Sequence, residues 1–254
     1  MYAEERQQTI LEVVRRTGRV GVAGLASRFD ITTETVRRDL TLLEQRGLLR
    51  RVHGGAIPVN TGPEVRKRTP PAEPAALSEQ RRIAQAALAH LPEDGAVFLD
   101  GGRTVDEFVG LIPADRQLTV VTNAIDSALR LTDKGSVTVM LVGGRIKSRP
   151  FAVVDDWAMR LLSEIRVDVA FLAPGGVSLA RGLTTSDPSE AMVKRAAISA
   201  AGRTVVLADH HTVGRDHFAR FGGLADIDTL ITDDRVDSCL ARRIGRAGPR
   251  VLTV

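Results

Sequence analysis

"TTETVRRDLTLLEQRGLLRRVHGG", residues 32–55, decides how the front of this chain is read. At 100° per residue Val36, Leu40 and Leu43 fall on one face of a helix, with Thr32 or Thr33 as its cap. Glu34, Arg38 and Thr41 then point away from that face, and Arg37 projects from one side. The two arginines therefore have different tasks. After Gly47 the run "LLRRVHGGAIPV" mixes apolar and basic residues and ends in paired glycines, the pattern of a short β-ribbon.

Upstream, Ile10, Leu11, Val13 and Val14 cluster at helical spacing between Glu4 and Arg16, and Gly18 stands where a helix stops. Val22, Leu25, Ala26 and Phe29 predict a second helix, followed by a tight turn at Asp30-Ile31. Three helices, a short turn and a ribbon make a winged helix-turn-helix. In such a module the second helix of the pair enters the DNA major groove, where an outward side chain reads base edges and a lateral one holds phosphate. The wing grips the backbone or a minor groove. Candidate contacts are Thr33, Thr35, Arg37, Arg38 and Thr41 on the helix and Arg50, Arg51 and His53 on the ribbon. The plainer alternative is a solvated basic helix in which Arg38 pairs with Glu34 and Asp39 neutralises a neighbour.

Charge supports a polyanionic partner. Of 35 basic and 31 acidic residues, 13 and 8 lie in residues 1–68, leaving 22 and 23 in the remainder. The basic excess is at the front. No apolar run reaches the roughly 18 residues of a membrane span, and the opening "MYAEERQQTI" is charged where a signal peptide is apolar. A cytoplasmic protein without membrane partners is expected. Cys239 is the single cysteine, which excludes an intrachain disulfide and a multi-cysteine metal site.

The 254 residues suit two domains. Between Pro58 and Pro74 the composition turns to Pro, Thr, Glu and Arg without apolar periodicity. We place a DNA-binding domain at 3–57, a linker at 58–76 and a larger domain at 77–254. In the last, buried runs such as "AVFLD", "LTVVTN", "VTVMLVGG", "VDVAFLAPGG", "TVVLAD" and "IDTLITDD" alternate with helices. That alternation predicts an α/β fold with a parallel sheet covered on both faces.

Five strand ends carry chemistry-capable residues: 100–104, 122–123, 143–145, 182–194 and 208–214. Gly101 and Gly102 ahead of Thr104 would present N–H groups and a hydroxyl to an anion, though glycines also serve ordinary turns. Asp187-Pro188-Ser189-Glu190 has the form of a capping box, which explains Glu190 without a ligand. Lys194 shares a helix face with Glu190, either as its ion-pair partner or as a cation reaching a pocket. His210 and His211 lack an acidic or cysteine partner at ligand spacing, so no metal is expected. His217 and Trp157 receive no role.

The run from Gly18 to Ala56 resembles the N-terminal domain of the DeoR family of bacterial transcription regulators, with its Thr-(Val/Ile)-Arg-Arg-Asp-Leu helix and Arg-x-His-Gly-Gly wing. The resemblance continues through residues 78–234. It implies a sensor domain folded like ribose-5-phosphate isomerase and a phosphorylated sugar as effector. It implies a pocket of Asp100, Gly102, Thr104, Thr122, Asn123, Gly143, Gly144, Glu190, Lys194 and Asp209; the strand ends add Gly101, Arg103 and Arg145. Three departures stand out. Gly24 replaces a helix-favouring residue, Arg103 stands where the family often has serine, and "DHHTVG" puts Thr212 at the lysine of Asp-Ser-x-Lys-Phe-Gly. The expectation is a repressor of a carbohydrate operon, a dimer or tetramer on double-stranded operator DNA, without cofactor or catalytic residues. The rival is a sugar-phosphate isomerase carrying a DNA-binding domain, with Asp100, Glu190 or Asp209 as base beside Lys194.

Overall fold

The computed structural model describes residues 3–17, 20–45, 48–52, 54–58, 74–148 and 151–254. The chain divides into two compact units, Met1–Pro70 and Pro71–Val254. His53, the Gly18 stop, the side chain of Arg50 and residues 59–73 of the expected linker lie outside the described residues.

The first unit runs α1 (Ala3–Thr17), β1 (Val20–Gly21), α2 (Val22–Phe29), α3 (Thr33–Gln45), β2 (Leu49–Val52) and β3 (Gly55–Pro58). Its core joins Ile10 and Val14 of α1 to Leu25 of α2, Val36, Leu40 and Leu43 of α3, and Leu49 of β2. This is the stripe that helical spacing predicted. Asp30 ends α2 in the left-handed region at φ 53°, and the Thr32 hydroxyl accepts from the Thr35 N–H at 3.2 Å to cap α3. The ribbon pairs Arg50 with Ile57 and Arg51 with Ala56. A third strand, β1, joins it on the far side of β3 and was not anticipated, because two residues carry no periodicity. Both glycines of the pair are required. Gly54 has φ +79°, and a Cβ on Gly55 would lie 1.9 Å from the Val20 carbonyl oxygen.

The second unit follows as α4 (Pro74–Ala87), β4 (Asp94–Leu99), α5 (Arg103–Leu111), β5 (Gln117–Thr122), α6 (Ile125–Thr132), β6 (Val137–Leu141), β7 (Arg145–Ser148), β8 (Phe151–Val154) and α7 (Asp156–Ser163). It continues with β9 (Val167–Leu172), β10 (Gly176–Ser178), β11 (Gly182–Thr185), α8 (Pro188–Ala200), β12 (Ala201–Leu207), β13 (Ala219–Gly222), β14 (Thr229–Thr232), α9 (Ser238–Arg246) and β15 (Arg250–Thr253). Seven strands form one sheet among the described residues, in the order β15-β14-β12-β9-β4-β5-β6, and every pairing in it is parallel.

Side chains alternate across this sheet. Val97 and Leu99 pack with Ile83 of α4 and Phe108 of α5, where the Phe108 and Phe171 rings stand 4.5 Å apart. Phe98, on the opposite face, joins Leu162 of α7, Val193 of α8 and Ile244 of α9. Both faces are covered, as unbroken Val- and Leu-rich runs require.

One expectation is corrected. Residues 182–185 are not an end of the parallel sheet but the middle strand of an antiparallel one, β10-β11-β13; four residues reading Gly-Leu-Thr-Thr do not reveal their partners. The β7–β8 hairpin and α7 were also unforeseen. From β4 the chain winds outward through β5 and β6, then crosses to β9 on the other side. Strand order therefore reverses between β4 and β9, where such sheets open a crevice at their carboxyl ends.

Candidate functional site

In the first unit α3 presents Arg37 and Arg38 to solvent. The i,i+4 pairing of Arg38 with Glu34 does not occur. Glu34 instead pairs with Arg37 at 3.3 Å, and no partner of Arg38 is found among the described residues. Asp39 is not a surface neutraliser either; it is 4 % exposed. Its carboxylate accepts from Arg6 Nε at 2.6 Å and NH2 at 3.3 Å and from Gln7 Nε2 at 3.1 Å. A buried fork thus ties the recognition helix to α1. Helical spacing could not show it, because both partners lie more than thirty residues away.

Thr33 is exposed and Thr35 half-buried. The Thr35 hydroxyl lies 2.9 Å from that of Thr32 and belongs to the helix cap. Thr41, expected to face outward, spends its hydroxyl internally: it donates to the Arg37 carbonyl at 2.8 Å and accepts from Arg51 at 2.8 Å. The Arg51 N–H donates to Glu44 at 2.9 Å. Arg51 therefore couples the wing to α3, which sets the angle between them.

In the second unit a cavity of about 340 Å³ opens at the switch point. Of the expected residues, Asp100, Gly101, Gly102, Arg103, Thr104, Asn123, Glu190, Lys194 and Asp209 line it. Asp100 is 1 % exposed and sits at the end of β4. It forms a short contact with Lys194 Nζ and accepts from the Ala173 N–H at 3.0 Å. Lys194 also donates to the Ala173 carbonyl at 2.9 Å. Burial pushes the Asp100 carboxyl up, and Lys194 and the Ala173 N–H pull it back. Lys194 is thus the cation of the pocket floor and not a partner of Glu190.

The capping box is only half present. Asp187 accepts from the N–H groups of Ser189 and Glu190 at 2.7 and 3.3 Å, with Pro188 at the first helical position. Glu190 does not return the bond. Its oxygens go to Thr185 Oγ1 at 2.8 Å and Lys147 Nζ at 2.7 Å, because Lys147 arrives from the β7–β8 hairpin and outcompetes a backbone donor. Although burial works against it, Glu190 and Asp187 hold the Lys147 ammonium above its usual value.

Four expected residues do not line the pocket. Thr122 donates its hydroxyl to the Leu99 carbonyl at 2.6 Å and accepts from the Ala124 N–H at 3.0 Å, so it locks two strand ends together. Gly143 and Gly144 form the turn into the hairpin; a Cβ on Gly144 would lie 2.6 Å from the Val154 carbonyl. Arg145 is exposed and pairs with Asp155 at 3.2 Å.

Gln80 and Ala173, to which the sequence did not point, also line the cavity, with Thr185 and Thr212 from the expected segments 182–194 and 208–214. The amide oxygens of Gln80 and Asn123 are buried without a hydrogen-bond partner among the described residues. Arg103, at the first residue of α5, is exposed, and no ion-pair partner is found for it among the described residues. Thr212 donates through its N–H and hydroxyl to Asp209 Oδ1 at 3.0 and 2.9 Å. The statement that His210 lacks acidic partners is corrected too: Glu79 and Asp233 close on it from α4 and β14. Trp157, left without a role, is 71 % exposed, and Arg160 lies over its ring.

The chain is similar in sequence to known proteins over most of its length. Residues 6–61 match the family model described as a DeoR-like helix-turn-helix domain, and residues 76–234 match the DeoR C-terminal sensor domain. The HTH-type transcriptional regulator GlpR of Haloferax volcanii is 34 % identical over 253 residues, covering 99 % of this chain and 98 % of its own. The glycerol-3-phosphate regulon repressor of Escherichia coli is 29 % identical, with 92 % of each chain covered. Among solved structures, ribose 5-phosphate isomerase A of Methanocaldococcus jannaschii matches 56 % of this chain and 55 % of its own at 14 % identity and TM-score 0.40, too loose a likeness to bear on chemistry. No described helix is long and apolar enough to cross a membrane.

Proposed function

The chain belongs to the DeoR family of transcription regulators, and from that premise we propose that it represses a carbohydrate operon under control of a phosphorylated sugar. Residues 3–57 are the operator-binding domain, 58–76 the linker and 77–254 the sensor. Arg38 and Arg37 face the major groove, and Arg50, Arg51 and His53 serve the phosphates beside the wing. Thr33 lies at the helix start, where its hydroxyl reaches phosphate. The protein acts in the cytoplasm as a dimer or tetramer, since one short recognition helix needs a second copy to grip two half-sites.

The observation that carries the effector class is the composition of the cavity. The N-terminus of α5 brings Gly101, Gly102 and Arg103 to one side, which suits an anion. Thr104, Asn123 and Asp209 on the same lining supply polar partners for hydroxyl groups. A small polyol bearing one phosphate satisfies both. The test is a thermal-shift screen of phosphorylated sugars and their dephosphorylated forms, followed by operator titration. A ligand at about 100 times its Kd stabilises by about 2.7 kcal/mol. Stabilisation by a phosphorylated sugar that also changes operator affinity supports the reading. Stabilisation by neutral sugars alone, or turnover of any sugar phosphate, refutes it.

A further inference from the structure

Beside the pocket, three side chains from separate elements converge. Glu79 comes from α4, His210 from the loop after β12 and Asp233 from the end of β14; their donor atoms all lie within 4.8 Å of one another. Side-chain exposures are 5, 13 and 0 %. His210 Nδ1 stands 2.9 Å from Asp233 Oδ1 and 3.7 Å from Glu79 Oε2. Yet this buried nitrogen makes no hydrogen bond among the described residues: the nearer carboxylate oxygen is close enough but off the line of the ring nitrogen.

A close, misdirected contact is what two ligands of one ion make. Donors at about 2.0–2.2 Å from a shared zinc, at angles between octahedral and tetrahedral, stand about 2.9–3.5 Å apart, with the imidazole nitrogen aimed at the ion and not at the oxygen. The surroundings suit such a site. Asp233 is oriented by two backbone donors, the N–H of His210 at 2.7 Å on Oδ2 and that of Arg235 at 3.1 Å on Oδ1, the kind of support that fixes metal ligands. Arg235 holds Glu79 through Oε1 at 2.6 Å, which leaves Oε2 for the ion. Three carboxylates, of Glu79, Asp233 and Asp234, against the two guanidiniums of Arg82 and Arg235 leave negative charge to be offset.

We propose that Glu79, His210 and Asp233 bind a divalent first-row metal ion, zinc foremost, through one imidazole nitrogen and two carboxylate oxygens. Three protein donors leave a coordination position open. Asp209 and Gln80, the chain neighbours of two of these ligands, line the pocket, so the ion stands at its edge.

The experiment uses the full-length chain, stripped with chelator and titrated with zinc alone under equilibrium dialysis, with metal content and melting temperature as readouts. One zinc per chain at micromolar concentration, with a raised melting temperature, is expected. Glu79→Gln, which keeps shape and loses charge, weakens zinc at least about tenfold, as does His210→Gln. Cys239→Ser, at an exposed residue outside the cluster, leaves zinc binding unchanged. Should His210→Gln fail to fold, cobalt absorption in wild type and its loss in Glu79→Gln gives the same answer. No bound zinc in the wild type, or binding that survives Glu79→Gln and is lost in Cys239→Ser, overturns the proposal.

Discussion

Replacing Asp39 by alanine should unfold the DNA-binding unit although it alters none of the candidate DNA-contacting residues. The carboxylate sits 4 % exposed between Arg6 and Gln7, and its removal leaves the Arg6 guanidinium, on a side chain only 11 % exposed, without its counter-charge. Breaking one side of such a pair costs about 3–5 kcal/mol. A unit of this size has a total stability of only about 3–9 kcal/mol at 0.05–0.15 kcal/mol per residue. The loss is therefore comparable to the whole. Asp39→Asn keeps an acceptor for Gln7 and should lose less. The double variant Arg6→Met/Asp39→Leu removes both charges into an apolar setting and should recover most of the stability. Urea unfolding, with limited proteolysis inside residues 3–58 and operator binding as readouts, distinguishes these cases. A loss below about 1 kcal/mol for Asp39→Ala, or a double variant no better than the single, would show that the fork does not hold α3 to α1.

Four further outcomes are expected. Burial pushes the Asp106 carboxyl up to about 6 despite the Ser127 hydroxyl; the folded state holds the proton more tightly, so stability falls as pH rises from about 4 to 6 and is flat above, by at most about 3 kcal/mol. Asp106→Asn should flatten that slope and exceed wild type at pH 7, and a variant no more stable there refutes the assignment. Arg38→Ala should weaken operator binding by about 1–3 kcal/mol and flatten sequence preference, whereas Arg51→Ala weakens specific and nonspecific DNA alike; equal loss of discrimination in titrations at one salt concentration counts against the division. Gly24→Ala should stabilise the first unit by up to about 1 kcal/mol, since a Cβ there meets nothing within 4 Å, and a lowered melting temperature contradicts it. Arg103→Ala should weaken a phosphorylated effector about ten- to a hundredfold, with calorimetry of both forms as the check.

How much of this was legible depended on the range of the interaction. The α3 stripe of Val36, Leu40 and Leu43 and the buried runs of the parallel strands repeat within a few residues, and the fold reproduces them. The paired glycines at 54–55 belong to the pattern of a short ribbon, and Gly55 is demanded by a further strand, β1, that the sequence did not announce. Gly-Gly-Arg at 143–145, expected at the pocket, is instead the turn into a hairpin: local glycine signals report backbone shape and not what stands above it. Lys147 and Gln80 gave no signal, since a single lysine on a β-ribbon and a single glutamine on a helix are ordinary surface residues until the topology folds them inward. The Arg6–Asp39 fork joins residues 33 apart, and in the Glu79–His210–Asp233 cluster even His210 and Asp233 are 23 apart.

The ionic pairings around the pocket say what kind of ligand it suits. Asp100 is matched by Lys194 and Glu190 by Lys147, so the two acids and two cations cancel within the protein. Asp209 is occupied on Oδ1 by Thr212, the residue that stands where the family pattern has lysine. That exchange removes one positive charge from the wall formed after β12 and leaves a carboxylate there, held by a hydroxyl and an N–H. Elsewhere on the lining Arg103 adds a charge at the start of α5, where a helix N-terminus already favours anions and a cation is mildly unfavourable without one. A lone guanidinium in that position gains most when a phosphate sits between it and the helix end, since the ligand then satisfies both. The same placement leaves the hydroxyls of the proposed effector to other polar lining residues, Asn123 and Asp209 among them. The departures at Arg103 and Thr212 thus act together: one positive charge is lost after β12 and one is gained at the start of α5, so the anionic end of the proposed effector belongs at α5.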